Sequence, residues 1–549
     1  MDTAHDFVKL RPMELSTIPG DVDGLRAMLL EVAAVKEGLE AELAGQQAEL
    51  TNLREQVRLL LHKRFGPSSE KLSDDQLQLF NEAEDLTEKE EADATTETEA
   101  TVQVQAHTRI RKGRSPLPAS LPRVEVLHDL SAEEKICPRD GCELKRIGEE
   151  TSEQLLVIPT KMQVLRHVRP KYACPKCQEG VKIAPPPPQV IPKSMASAGL
   201  LAYIGISKYG DALPLYRQEK IFERWGVVLS RTTMANWMVR TGTALQPIVN
   251  LLRDDLLDDA YIHCDETRCQ VLKEPGRPAQ RQSYIWAQRG GPPGRPVILF
   301  DYDSSRGGEV PQRLFEGFAG YLQTDGYDGY NAVCKANPKI IRVGCWAHSR
   351  RRFDEAVKAQ IKSKGGAGPS KLSLAHQGLG FIKELYKIEK EIRGQSAPER
   401  KAAREAQARP ILDKIQEWLK GSRDQVPPKS LTGRALGYLH DQWDNLVRYL
   451  EDGRLEIDNN RIENAIRPFV IGRKNWLFSD TVKGAEASAN IYSVIETAKA
   501  NGLDPYRYFL HLLTELPKAQ RVEDFEKLLP TRCTQEEIRE TIDRDPAFR

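Results

Sequence analysis

The sequence predicts a multidomain α+β protein, and three observations carry that expectation. At 549 residues the chain exceeds what one hydrophobic core accommodates, so three or more domains are expected. Apolar residues near the amino end recur every seven positions, whereas those from Tyr261 onward fall into short strand-like runs. Two close cysteine pairs stand between these regions. The net charge of +1 conceals a strong local asymmetry, so a near-neutral total does not exclude a nucleic-acid partner. No apolar run approaches the ~18 residues of a membrane span, and MDTAHDFVKLRPMEL has neither the basic start nor the apolar centre of a signal peptide. The expected location is the cytoplasm, with no membrane partner. The cysteines number nine, four of them in the two pairs, which suits metal binding better than disulfides in a reducing compartment.

Leu25, Val32, Leu39, Leu53 and Leu60 share one heptad position, broken by Gln46; Leu29, Leu43, Leu50 and Val57 share the other, broken by Lys36. This seam predicts a coiled coil over 20–62 and self-association as a homodimer or higher oligomer. One long helix of an intramolecular bundle is the alternative. A short basic helical segment is expected over 63–80, and a disordered linker over 81–130, first acidic and then basic. Residues 82–100 hold nine acids against one lysine and cannot form a core. Residues 108–123 (TRIRKGRSPLPASLPR) carry no acid, and Arg111, Lys112 and Arg114 within them are candidate DNA contacts. A solvated linker is the competing reading.

Cys137-Pro-Arg-Asp-Gly-Cys142 and Cys174-Pro-Lys-Cys177, separated by 31 residues, predict a zinc ribbon over 131–180 in which four thiolates hold one structural Zn²⁺. Two unrelated buried pairs are the plainer reading. Beyond the stiff APPPPQVIP stretch, 193–255 reads as a helical DNA-binding region. YRQEKIFERWGVVLSRTTMANWMVRTG has the outline of a helix-turn-helix, with a first helix to about Trp225, a turn at Gly226 and a second helix capped by Ser230. Arg231, Thr232 and Thr233 would then face DNA, although many helical hairpins share this outline without touching it.

YIHCDETRCQVL, QSYIWAQR and RPVILFDYD read as three consecutive strands. The helix-like VPQRLFEGF, the strand that opens GYLQTDGYDGYN, the helix-like GYNAVCKA and the strand KIIRVGCWAH follow. The order βββαβαβ is that of a ribonuclease H-like α/β catalytic core, expected over 256–348 and 456–480, in which the first and fourth strands are neighbours. Asp265 on the first strand and Asp325 just beyond the fourth would meet at adjacent strand ends, where two carboxylates repel and favour a divalent cation. A two-metal site needs a third acid. Glu463, on a helix starting near Asn459-Asn460, is the candidate; spacing alone favours the plainer reading, an ion pair with Arg467 on a solvated face. An all-helical insertion is expected over 349–455 and a C-terminal helical region over 481–549. His348, Arg350, Arg351 and Arg352 follow the fifth strand, and Arg467, Arg473, Lys474 and Asn475 accompany the Glu463 helix. They are candidate DNA contacts, with Trp476 as a stacking surface. Capping is an equal reading for His348, and Tyr327 and Tyr330 read as packing for the loop after Asp325.

HCDET, LQTDGYDGYN, GCWAHSRRRF, DNNRIENAIRPFVIGRKNWLF and SANIYSVIETAKANGLDPYRY, in this order and with KRFGPSSEKL near the amino end, resemble the large transposase of the insertion sequence 66 family, bacterial Asp-Asp-Glu transposases. The resemblance runs over nearly the whole chain. It implies that Asp265, Asp325 and Glu463 are the catalytic triad, holding two Mg²⁺ per active site, with Mn²⁺ able to substitute. The implied reaction is metal-dependent cleavage at the ends of an insertion sequence, followed by attack of the freed 3′-hydroxyl on target DNA. Implied partners are double-stranded DNA, as terminal repeats and target, and small accessory proteins of the same element; the implied place is the nucleoid of a bacterial cytoplasm. The first cysteine pair departs from the family's usual spacing of two intervening residues, having four.

Two other functions compete with an active transposase. One is a zinc-ribbon DNA-binding protein with an inactive ribonuclease H-like domain, against which the three intact acids argue. The other is a metal-dependent nuclease without strand joining, which uses the same site and is separated by a strand-transfer assay.

Overall fold

The computed structural model describes residues 21–65, 162–173, 181–360 and 373–544. The chain divides into two units, Met1–Ser68 with His167–Arg549, and Ser69–Arg166. The second lies almost wholly outside the described residues, as do Cys137, Cys142, Cys174, Cys177, Arg111, Lys112 and Arg114.

Helix α1 (Val22–Phe65) carries the heptad seam and continues three residues past its expected end, into the segment read as a separate basic helix. Its apolar stripe lies in solvent: Leu29, Leu43 and Leu60 are 70%, 57% and 65% exposed. The carboxyl end docks, with Leu59 buried and Glu55 accepting the Leu431 N–H at 3.1 Å. Strands β1 (Lys171–Ala173) and β2 (Val181–Ile183) pair antiparallel on either side of residues 174–180, which lie outside the described residues.

Four helices follow: α2 (Ala198–Gly205), α3 (Leu215–Arg224), α4 (Arg231–Ala244) and α5 (Gln246–Leu257). The α3–α4 pair has the outline read from the sequence. Trp225 closes α3, Gly226 takes φ +78°, and the Ser230 hydroxyl accepts the Thr233 N–H to cap α4.

The sheet is built from β3 (Tyr261–Lys273), β4 (Gln282–Gly290), β5 (Val297–Asp303), β6 (Gly320–Gln323) and β7 (Ile340–Val343), in the order β5-β4-β3-β6-β7. β3, β4 and β5 are antiparallel neighbours, whereas β6 runs parallel to both β3 and β7. Helices α6 (Glu309–Leu314) and α7 (Gly329–Ala336) lie in the connections between β5, β6 and β7. The first and fourth strands of the run are thus side by side, with Ile262 opposite Leu322.

After β7 the chain leaves the sheet through α8 (Trp346–Gln360), α9 (Leu374–Glu391), α10 (Ala397–Ala403), α11 (Arg409–Ser422), α12 (Leu431–Asp441) and α13 (Trp443–Val447). These helices share a core that includes Phe353, Ile382, Leu385, Leu412, Leu436 and Tyr449. The boundary expected at residue 349 falls inside α8, so a continuous helix rather than a linker carries the chain from the sheet into the insertion.

The chain returns through α14 (Asn460–Trp476) and β8 (Ser479–Thr481), which pairs with β3 at Val271 and Lys273. Helices α15 (Val482–Ala500), α16 (Pro505–Glu515), α17 (Val522–Lys527) and α18 (Gln535–Arg544) complete it. The C-terminal helical segment begins with α15, a buried helix that seals the sheet. On it the hydroxyls of Ser493 and Thr497 accept the backbone N–H groups of Phe300 (2.8 Å) and Ile298 (2.9 Å), satisfying the open edge of β5. α4 crosses α15 so closely that a Cβ on Gly242 would stand 2.6 Å from Ala487 Cα. Among the described residues no helix is long and apolar enough to cross a membrane.

Replacing Thr497 by Val keeps its shape and orphans the buried Ile298 N–H. The substitution is expected to lower unfolding free energy by about 1–3 kcal/mol. A urea midpoint that does not fall, at unchanged slope, would show that α15 is held some other way.

Candidate active site

Asp265 lies in the central strand β3, opposite Ala287 of β4. Asp325 follows β6 by two residues, and its Oδ1 accepts the Tyr327 N–H at 2.9 Å, curling the loop. The buried Arg342 of β7 clamps that loop from beneath. Its guanidinium donates to Thr324 Oγ1 (3.0 Å), Asn331 Oδ1 (2.5 Å) and the carbonyls of Asp325 (2.5 Å) and Tyr327 (3.0 Å).

Glu463 sits in the first turn of α14, and Asn459 fixes where that turn begins. Asn459 is 1% exposed. Its Nδ2 donates to the Cys264 carbonyl at 2.9 Å, and its N–H donates to Cys345 Sγ at 3.2 Å. With Nδ2 so engaged, Oδ1 faces His263 Nδ1 at 2.9 Å, which requires the ring proton on Nδ1. Burial pushes the His263 pKa down to about 3, so the ring is neutral. One asparagine therefore joins β3, the turn before α8 and the start of α14.

The charge balance of the site is one-sided. Burial, then the charges of Glu266, Asp325 and Glu463, hold the Asp265 carboxyl well above the usual carboxylate range. Glu266, beside it, is provided for: Arg306 donates to Oε1 at 2.7 Å and the Tyr330 hydroxyl to Oε2 at 2.6 Å. Arg306 also lies 3.9 Å over the Tyr327 ring, whose hydroxyl donates to the Arg306 carbonyl at 2.6 Å. Tyr327 and Tyr330 thus do more than pack the loop; they bind it to Glu266 and its arginine.

The ligand atoms of Cys345, His348 and Glu463 lie within 4.8 Å of one another. Glu463 Oε1 and His348 Nδ1 are buried without a hydrogen-bond partner among the described residues, while Arg351 stands 3.8 Å from Glu463 Oε2. Burial pushes the Cys345 thiol pKa up and the His348 pKa down. A carboxylate with one buried, unpartnered oxygen, next to a second carboxyl raised by burial and like charges, fits a divalent cation held by oxygen.

The other candidates fall in different places. Arg231 and Thr232 are exposed at the start of α4, but the Thr233 hydroxyl is engaged with Ser230 at 2.9 Å. α4 itself packs on α15. Arg350 and Arg352 lie over the rings of Tyr386 (5.3 Å) and Tyr438 (4.4 Å). Arg467 follows Glu463 by one turn on α14; Arg473 donates to Thr267 Oγ1 at 3.2 Å, Asn475 to the Ala212 carbonyl at 2.8 Å, and Lys474 is exposed. Trp476 is not the stacking surface expected of it. Its ring takes Lys208 Nζ at 3.9 Å, meets Tyr209 and Tyr492, and folds back over Gly472.

Sequence reasoning missed the parts played by Asn459, Arg342, Glu266 and Arg306. The second acid of HCDET and the paired asparagines before Glu463 were visible, but their partners lie far away in the chain. Asn459→Ala orphans buried groups on β3 and is expected to cost about 2 kcal/mol or more. Asn460→Ala, which loses a more local bond to Asp458, should cost less in the same urea titration.

A model of the Transposase IS66 family matches residues 193–487. Models described as the zinc-finger binding domain of transposase IS66, the Transposase C of IS166 homeodomain and the IS66 C-terminal element match 134–178, 52–126 and 493–531. The uncharacterized protein y4qI of Sinorhizobium fredii is 31% identical over 543 residues, covering 94% of this chain and 98% of its own length. A second uncharacterized protein of that organism, y4jD, is 34% identical over 427 residues, covering 75% and 81%. Matched by its family model from α2 through the carboxylate cluster into α15, this chain belongs to the IS66 transposase family.

Proposed function

We propose that the protein cleaves DNA at the ends of an insertion sequence and joins the freed 3′-hydroxyl to target DNA, with Asp265, Asp325 and Glu463 as its catalytic acids. The observation that carries this reading is the electrostatic neighbourhood of Asp265: besides burial and Glu266, Asp325 and Glu463, 60 and 198 positions further along the chain, both raise its pKa. The strand order, with β3 between β4 and β6, supports a ribonuclease H-like core. Two Mg²⁺ held by these carboxylates, replaceable by Mn²⁺, would supply Lewis acidity at the scissile phosphate and acidify the attacking water or hydroxyl.

The chain's own residues do the positioning. Arg342 and Asn459 hold two of the acids from behind. Glu266, occupied by Arg306 and Tyr330, orients the Asp325 loop rather than ligating. Arg351, beside Glu463, offers a guanidinium to phosphate oxygens. Arg231 and Thr232 on α4, the basic stretch with Arg111, Lys112 and Arg114, and Lys474 would hold DNA away from the cut. A structural Zn²⁺ on Cys137, Cys142, Cys174 and Cys177 is supported by their spacing and by the zinc-finger match over 134–178. Assembly as a dimer or larger oligomer is supported by the solvent-facing seam of α1, since joining two element ends to one target needs two active sites held together.

Asp265→Ala, Asp325→Ala and Glu463→Ala should each reduce cleavage and joining to background, with binding of end DNA nearly intact because phosphate contacts elsewhere supply it. Cleavage retained in Glu463→Ala would hand the third role to another acid, Asp458 first. Hydrolysis by the wild type without joining of a pre-cleaved end would mark a nuclease instead.

The docked end of α1 lies beyond its middle heptads, so Leu29→Lys with Leu43→Lys should spare docking and break the seam. Light scattering is expected to show smaller particles, with joining of paired ends reduced more than hydrolysis of a single end. Unchanged size would place the interface elsewhere, the helical insertion first.

A further inference from the structure

Glu463, Arg467, Ile471 and Lys474 lie along one side of α14, half-buried at the first two and exposed at the last two. At its end the backbone turns sharply. Leu477 takes φ +70° and ψ −49°, and the Phe478 N–H donates back to the Trp476 carbonyl at 2.9 Å, a γ-turn of the strained hand. The turn presents two apolar side chains to solvent, Leu477 at 64% and Phe478 at 44% exposure. Lys474 is exposed one turn before them, and the preceding Arg473 reaches Thr267 on β3.

This tip is held rigid from three sides. Trp476 is turned inward under Lys208, Asn475 is bonded to the Ala212 carbonyl, and β8 fastens the following residues to β3 at Val271. An apolar pair on a strained, well-anchored turn, set among cations, serves no core. It has the composition of a surface that meets DNA: positive charge for phosphates, and an apolar edge of the kind that enters a base step.

We propose that Leu477 and Phe478 form a wedge that enters the duplex held at the active site and unstacks one base step on its flank. The proposal rests on the reading of the carboxylates as a DNA-cleaving centre. Its position follows from the helix. Glu463 and Leu477 are fourteen residues apart, which at the α-helical rise is about 20 Å. A duplex laid along that side advances about 3.4 Å per step, so the wedge meets it about six steps from the scissile phosphate. A protein partner would fit the apolar pair but not its alignment, along one helix side, with the carboxylates.

The test uses the full chain and a duplex ending in the terminal repeat that borders the coding sequence, with 2-aminopurine placed singly at successive positions. A fluorescence rise is expected at one or two positions about six steps from the cut, in the wild type and in Asp265→Asn alike. The double variant Leu477→Ser, Phe478→Ser should lose the rise and bind the duplex about tenfold more weakly, the scale of one base-stacking contact. Leu477→Gly, which relieves the positive φ, should raise Tm while weakening binding, a split that a purely structural role does not give. Cleavage by the wild type with no rise at any position, or a rise that survives in the double variant, overturns the wedge and leaves the cleavage reading standing. Absence of any metal-dependent cleavage by the wild type overturns that reading, and the wedge with it.

Discussion

The hydrogen bonds of Asn459 are the constraint on which the site depends. They span 195 and 196 residues to Cys264 and His263, and 114 to Cys345, so one side chain and its own N–H fix three distant segments at once. All are buried, where a hydrogen bond is stronger than in water and its loss leaves groups that no solvent reaches. Glu463 follows one turn later. Neutral dipoles thereby help to set its approach to Asp265.

That division of labour explains how neighbours on β3 differ. Glu266 has an arginine and a tyrosine hydroxyl, and its side chain is 2% exposed. Asp265 accepts the Glu266 N–H, and the charges that weigh on it most are all negative. Placing Arg306 on Glu266 and Arg342 on backbone carbonyls spends two of the nearby cations on geometry. The carboxylates left over repel one another, which is an energetic demand for positive charge from outside the chain.

Local pattern carried much of this architecture into the sequence, and long-range pairing carried the rest. The strand run from Tyr261 is legible because alternation and turn residues are local signals, and so is the α3–α4 turn, where Gly226 and Ser230 play roles their chemistry fits. The α1 seam is legible as periodicity. The neighbourhood of Glu463 is not: spacing alone suggested an exposed ion pair, because nothing in IDNNRIENAI reveals that Asn459 reaches β3. Trp476 misled for a related reason. An aromatic beside Arg473 and Lys474 reads as a stacking surface, while its burial depends on Lys208 and Tyr492, hundreds of residues away on one side and on the next helix on the other. The buried face of α15 was also hidden, since Ala, Ser and Thr are small enough to suit solvent or core.

The insertion has a further consequence through the way its ends are stitched. Trp346 N–H donates to the Ile457 carbonyl at 3.1 Å and Gly344 N–H to the Asn445 carbonyl at 2.9 Å, so the chain closes its excursion beside the point where it left the sheet. Glu463 lies just past that closure, and Asn459 is one of its stitches. A sub-global opening of the helical body would release these bonds together and carry Glu463 away from Asp265 and Asp325. Assembly of the carboxylate cluster is thereby tied to completion of folding: a nascent or partly unfolded chain, with β3 and β6 already paired, still lacks Glu463 beside Asp265.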